Sequence, residues 1–191
     1  MAAAKTREGE APAEPLNTGL RCALLQVFLW SNSDADLDES EFDHQPIEGF
    51  SPPRWTLGHL AICTDDALRA TGGRFQCPKQ WHRSFARGTT SYQTPDDLPS
   101  RNEWIEKIVD GFSTVRDRCQ QMDASAGAAR HSVPFLSSTP LTTVGHVLSH
   151  LMTTHFSGHP GQLSAWWRAC GRPPVESRQA TETKSSNVTK P

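Results

Sequence analysis

The sequence predicts an all-α protein, an antiparallel four-helix bundle with its functional site in the interior. Three observations predict it. Four segments repeat apolar residues at helical spacing, and no stretch alternates apolar and polar residues as a half-buried strand would. Two histidines four apart, His155 and His159, fall in the middle of the apolar side of the last segment. Imidazoles so spaced stack on one helix face and can reach one metal ion.

Composition bounds the rest. The chain has 191 residues and both its ends are poor in hydrophobic groups, which predicts a single domain of about 160 ordered residues. A domain of that size buries roughly 70% of its unfolded surface and needs no disulfide scaffold. Five cysteines without a CxxC pair predict reduced thiols and a cytoplasmic setting. The longest apolar run, Ala23 to Trp30, is too short to span a bilayer and follows an acidic, proline-containing leader unlike a signal peptide. The Asn187-Val-Thr189 triplet then reads as a chance glycosylation pattern. A formal charge of −2 without a basic run leaves no electrostatic footprint for nucleic acid.

Residues 1–14 read as a disordered arm, residues 15–175 as the bundle and residues 176–191 as a disordered, Ser/Thr/Lys-rich tail. The first helix is expected from Leu16 to Asn32, with Leu20, Leu24, Val27 and Phe28 on one stripe, followed by an acidic linker from Ser33 to Gly49. Ser51-Pro52 resembles a capped helix start, and the second helix runs to about Thr71, where Gly72-Gly73 stops it. A long crossover, Arg74 to Leu98, is broken by Pro78 and Pro95 and holds Trp81, His82, Phe85 and Tyr92. The third helix, from Arg101 to about Met122, repeats Trp104, Ile108, Phe112 and Val115 and keeps Arg116, Asp117 and Arg118 on a wet face. After a connector from Ala124 to Ser138, Thr139-Pro140 is expected to open the fourth helix, and Pro160 to kink it just past the histidines.

On a straight wheel from 144 to 170, Val144, Leu148, Leu151, Met152, Leu163, Trp166, Ala169 and Cys170 share one broad side with His155 and His159. His146 and His150 have the same spacing but point the opposite way, toward water or a partner, with Ser157, Ser164 and Arg168. Buried imidazoles need their ring nitrogens satisfied. The third ligand candidate is His59, on the mostly apolar strip of Trp55, Ile62, Cys63 and Asp66. A metal would satisfy His59, His155 and His159 together, whereas hydrogen bonds would have to satisfy each separately. Gln162, one turn beyond the pair, can hold a ligand ring or a substrate; Asp66 can orient an imidazole; Cys63 can be a fourth ligand or plain packing. Trp55, Trp166 and Trp167 read as core or interface aromatics, and His44 and His131 as surface loop residues.

Three passages give the chain a resemblance to a known family: Trp55-Thr-Leu-Gly-His59-Leu-Ala61, the helix end Ala67 to Gly73, and His155-x3-His159-x-Gly161-Gln-Leu-Ser-Ala-Trp166 with Gly171-Arg-Pro-Pro-Val175. They resemble the DinB-like (DinB/YfiT) family of metal-binding four-helix-bundle proteins, over roughly residues 16 to 175. The resemblance implies an up-down-down-up bundle with a long connection and frequent dimerisation. It also implies one divalent metal on His59, His155 and His159. The chain departs from the commoner pattern at Thr154, an apparent extra residue before the HxxxH, and at Pro160.

Three neutral imidazoles leave an open coordination position, the mark of a catalytic site. A bound ion can lower the pKa of water to about 7 or strip the proton from a thiol whose free pKa is about 8.5. The resemblance favours the thiol route, since characterised relatives include transferases that attach small thiols to electrophiles. The expected function is therefore a metal-dependent thiol S-transferase or related enzyme, with zinc, nickel or ferrous iron, a small thiol and an electrophilic substrate, and a homodimer as assembly. Two other classes compete: a non-enzymatic metal or small-ligand binding module closed by a group such as Cys63, and a metal-free structural helical dimer.

Overall fold

The computed structural model describes residues 40–89 and 98–173. The predicted first helix, the arm, the tail and the Tyr92–Pro95 part of the crossover lie outside the described residues. Within them the architecture is all-helical: no strand forms, and Arg130 and Thr143 make only an isolated antiparallel bridge.

Helix α1 spans Pro53–Ala70. It starts on tandem prolines, with Pro52 as the extended cap residue and no side-chain cap, so the expected Ser51 cap moves by one residue. A proline in the first turn costs nothing because its missing N–H would have had no partner. The end matches expectation: Gly72 takes φ 76° and the Gly73 N–H returns to the Leu68 carbonyl at 2.8 Å. Helix α2, Lys79–Ser84, forms inside the crossover and buries Trp81.

Helix α3, Arg101–Gln121, opens on a reciprocal cap in which Ser100 Oγ accepts from Glu103 N–H and the Glu103 carboxylate accepts from Ser100 N–H. Its predicted stripe of Trp104, Ile108, Phe112 and Val115 is fully buried. Each such side chain contributes on the order of 1.5–3 kcal/mol relative to exposure. Helix α3 packs along α1, and a Cβ on Gly111 would lie 2.4 Å from Thr64 Oγ1, so a side chain there would push the helices apart. A short helix α4, Ala124–Ala128, lies in the connector.

The last helical run is built differently from the prediction. Thr139 closes a turn, donating to the Leu136 carbonyl, and Thr143 is the cap that accepts from His146 N–H. Helix α5 therefore begins at Val144, not at Thr139-Pro140, and ends at Ser149. A wide π turn, His150–His155, leads into helix α6, Phe156–Ala169, which contains Pro160 within its length. An irregularity that the sequence did not predict thus precedes His159.

The wide turn absorbs one residue, which rotates everything after it by roughly 100° relative to a straight helix. Val144, Val147 and Leu148 are buried before it, Leu151 and Met152 within it, and Phe156, His159, Leu163, Trp166 and Trp167 continue the same stripe after it. A straight wheel puts Trp167 off the apolar side, which leaves it as either a core or an interface aromatic. The structure buries it completely, with its Nε1–H on the Pro173 carbonyl and Arg172 over its ring. Ala169 and Cys170, expected in the core, are only half-buried. His146 is exposed, as the wheel placed it, but His150 is half-buried with its ring 5.4 Å from that of His155.

Candidate metal centre

The central helix α1 supplies His59 from its second turn, and the junction of the wide turn with α6 supplies His155 and His159. Their Nε2 atoms converge. His155 Nε2 lies 3.2 Å from His59 Nε2 and 3.3 Å from His159 Nε2, and ligand atoms of the three residues all fall within 4.8 Å of one another. His59 and His159 are buried and His155 is half-buried.

The other ring nitrogens decide the protonation pattern. His59 Nδ1–H donates to the Phe85 carbonyl at 2.7 Å, and His159 Nδ1–H donates to Gln162 Oε1 at 2.8 Å. A carbonyl only accepts, so each of these rings carries its proton on Nδ1 and turns the Nε2 lone pair to the common centre. Burial pushes His59 below the ordinary imidazole range, against the opposing pull of the Phe85 carbonyl. His155 is lowered to about 3, by burial and then by His159, His59, His150 and Arg87. His159 is lowered to about 4, by burial and by His59, partly offset by Gln162. All three are neutral near neutral pH, the form that binds metals.

Three imidazole donors suit a divalent ion, and two of the three nitrogen–nitrogen separations match its spacing. Nitrogens held about 2.0–2.1 Å from a tetrahedral ion are separated by about 3.3–3.4 Å, close to the 3.2 and 3.3 Å found. Without a cation, Nε2 lone pairs would face one another at short range inside the protein, a repulsive arrangement unless a proton is shared.

Around the ligands, Trp55 stacks on His59 with centroids 4.8 Å apart and planes 7° from parallel, and its Nε1–H donates to Thr89 Oγ1. Gln162 meets His159 as the spacing of the helix suggested. Asp66 is not brought to His59, whose Nδ1 is taken by Phe85. Burial raises the Asp66 carboxyl to about 6, with Asp65 adding to the rise and His82 and Arg69 opposing it. Its neighbour Asp65 is fully buried and accepts from Gln76 N–H, Cys77 N–H and His82 Nε2. Cys63 Sγ lies 3.4 Å from His155 Nε2 and 3.6 Å from His59 Nε2. Burial, with Asp66 and Cys77, pushes that thiol far up, so without a cation it stays protonated.

Sequence reasoning missed the Phe85 carbonyl and underrated Trp55. Phe85 acts through a backbone atom on a segment far along the chain, for which side-chain pattern carries no signal. Trp55 had one, its position one helical turn before His59.

No curated protein matches the chain. The family profile described as the DinB superfamily matches residues 34–163, a span holding all three histidines. It is narrower at both ends than the resemblance drawn from the sequence passages. With more than half of its length matched, this chain belongs to the DinB superfamily.

Proposed function

We propose that the chain holds one divalent ion through the Nε2 atoms of His59, His155 and His159 and uses it to activate a small thiol for transfer to an electrophilic substrate. The observation that supports this reading is the convergence of three neutral imidazoles, with His155 Nε2 3.2 and 3.3 Å from the Nε2 atoms of His59 and His159 and ligand atoms of all three within 4.8 Å of one another. When bound, the ion supplies Lewis acidity that keeps a thiol deprotonated near neutral pH. The Phe85 carbonyl and Gln162 hold the Nδ1 protons of His59 and His159, which fixes their tautomers and aims both rings. Trp55 limits tilting of the His59 ring by stacking on it. Zinc, nickel and ferrous iron all suit imidazole donors.

The same reading makes Leu16–Asn32 the first helix of an up-down-down-up four-helix bundle and the protein a cytoplasmic homodimer. It assigns no role to nucleic acid or membranes; among the described residues no helix is long and apolar enough to cross a membrane.

A second reading, a metal-binding module without catalysis, is favoured by one observation: the Cys63 thiol beside two of the three nitrogens. Elemental analysis of the untagged protein beside His155→Ala tests the site. About one ion per chain, lost in the variant, supports it; metal-free protein unaffected by added zinc or nickel returns the cluster to a structural role. Turnover of small thiols with electrophiles by the loaded wild type, absent in the variant, then separates transferase from binding module.

A further inference from the structure

Cys63 sits one helical turn after His59 on α1 and is 4% exposed. Its Sγ lies beside two of the three histidine nitrogens, 3.4 Å from His155 Nε2 and 3.6 Å from His59 Nε2. Around a tetrahedral ion with metal–sulfur and metal–nitrogen bonds of about 2.3 and 2.0–2.1 Å, sulfur and nitrogen ligands stand about 3.5 Å apart. The two separations bracket that value, just as the two nitrogen–nitrogen separations approach their own ideal. Without an ion the sulfur–nitrogen separations are those of an S–H···N hydrogen bond to an imidazole; with one they are those of a coordination edge.

We propose that Cys63 is a fourth protein ligand, so that the resting centre is a three-histidine, one-thiolate site. The inference rests on the three-histidine metal reading above. Binding forms a metal–sulfur bond as the Cys63 S–H proton leaves to solvent, with no change of oxidation state. The thiolate makes the site softer than three imidazoles alone and disfavours magnesium, calcium and manganese. It also fills the position that an incoming thiol would need. A substrate thiol must therefore displace Cys63 or enter as a fifth ligand.

Cobalt(II) added to the chelator-treated, full-length protein tests this directly, because thiolate ligation gives an intense near-ultraviolet sulfur-to-metal charge-transfer band and any tetrahedral site gives visible d–d bands. Both are expected in the wild type. In Cys63→Ser the charge-transfer band should be lost while d–d bands remain. Visible bands without charge transfer in the wild type would overturn the Cys63 assignment and leave the three-histidine site standing. A charge-transfer band that survives in Cys63→Ser would assign the thiolate to another cysteine and likewise overturn it. No cobalt spectrum at all would overturn both readings together. The wild-type spectrum decides the ligand set even if the variant folds poorly.

Discussion

Gly58 and Phe85 are in such close apposition that a Cβ on Gly58 would lie 2.6 Å from the Phe85 ring. The ring has no exposed face to retreat to, since Phe85 is fully buried and meets Trp104 edge-on at 5.4 Å. The next residue along α1 is His59, whose Nδ1–H donates to the Phe85 carbonyl. The glycine thus lets the crossover lie close enough for its backbone to hold a ligand ring. Gly58→Ala should destabilise the fold by about 1–3 kcal/mol through overpacking, less the ~1 kcal/mol that alanine gains in a helix. Metal affinity should fall roughly 10–100-fold as the orienting carbonyl is displaced. Denaturant unfolding and competitive metal titration measure the two effects; a variant more stable than wild type and equally metal-avid would show that the ring yields freely.

Gln162 offers a cleaner separation of site from scaffold, because its residue is exposed while its Oε1 holds His159. Gln162→Leu should change stability by no more than about 0.5 kcal/mol and weaken metal binding roughly 10–100-fold. Gln162→Glu keeps an acceptor facing Nδ1 and should restore affinity. Equal affinity in all three proteins would reduce the contact to surface packing.

The fold class was legible because α3 and the last helical run obey simple periodicity, and the ligands because His155 and His159 sit among large apolar residues. What escaped has specific physical causes. Trp167 could not be settled as core because a straight wheel assumes a constant rotation per residue, and the wide turn His150–His155 breaks it. The start of α5 was misjudged because Thr139-Pro140 and Thr143 are both plausible caps, and only Thr143 Oγ1 meets a helical N–H. Asp66 looked like the partner of His59 because it shares a helix face. The carbonyl that fills that role comes from a residue 26 positions on.

The adjacent aspartates predict opposite pH behaviour. Burial pushes the Asp65 carboxyl up, but the hydrogen bonds from His82, Gln76 and Cys77 outweigh it and hold the group below its ordinary value. For Asp66 burial wins, with Asp65 adding to it and His82 and Arg69 only partly offsetting it, and the carboxyl is raised to about 6. An unfolded Asp66 releases its proton from about pH 4, the folded one only near pH 6, so ionisation favours the unfolded chain across that window. Asp66→Asn should therefore be more stable than wild type by about 1–3 kcal/mol near neutral pH, and the difference should vanish below about pH 3.5. Urea unfolding at both pH values measures it, and a variant less stable at neutral pH would point to a favourable contact of the ionised group.

The wide turn at His150–His155 makes a prediction that a regular helix would not. Thr154 is exposed, and its hydroxyl reaches only back along the same turn, donating to the His150 carbonyl and meeting the His150 ring. Removing it should let the turn relax to ordinary α geometry, with Leu148, Leu151 and Met152 upstream and Leu163, Trp166 and Trp167 downstream still in phase. The four-residue spacing of His155 and His159 survives as well. The deletion should therefore fold with stability within about 1 kcal/mol of wild type or above it. Adding a second residue beside Thr154 should instead turn Trp166 and Trp167 out of the core and cost on the order of 3–5 kcal/mol. Thermal unfolding of the two proteins distinguishes a one-residue re-phasing device from a local distortion: if deletion is as damaging as insertion, the wide turn is required by the packing around it.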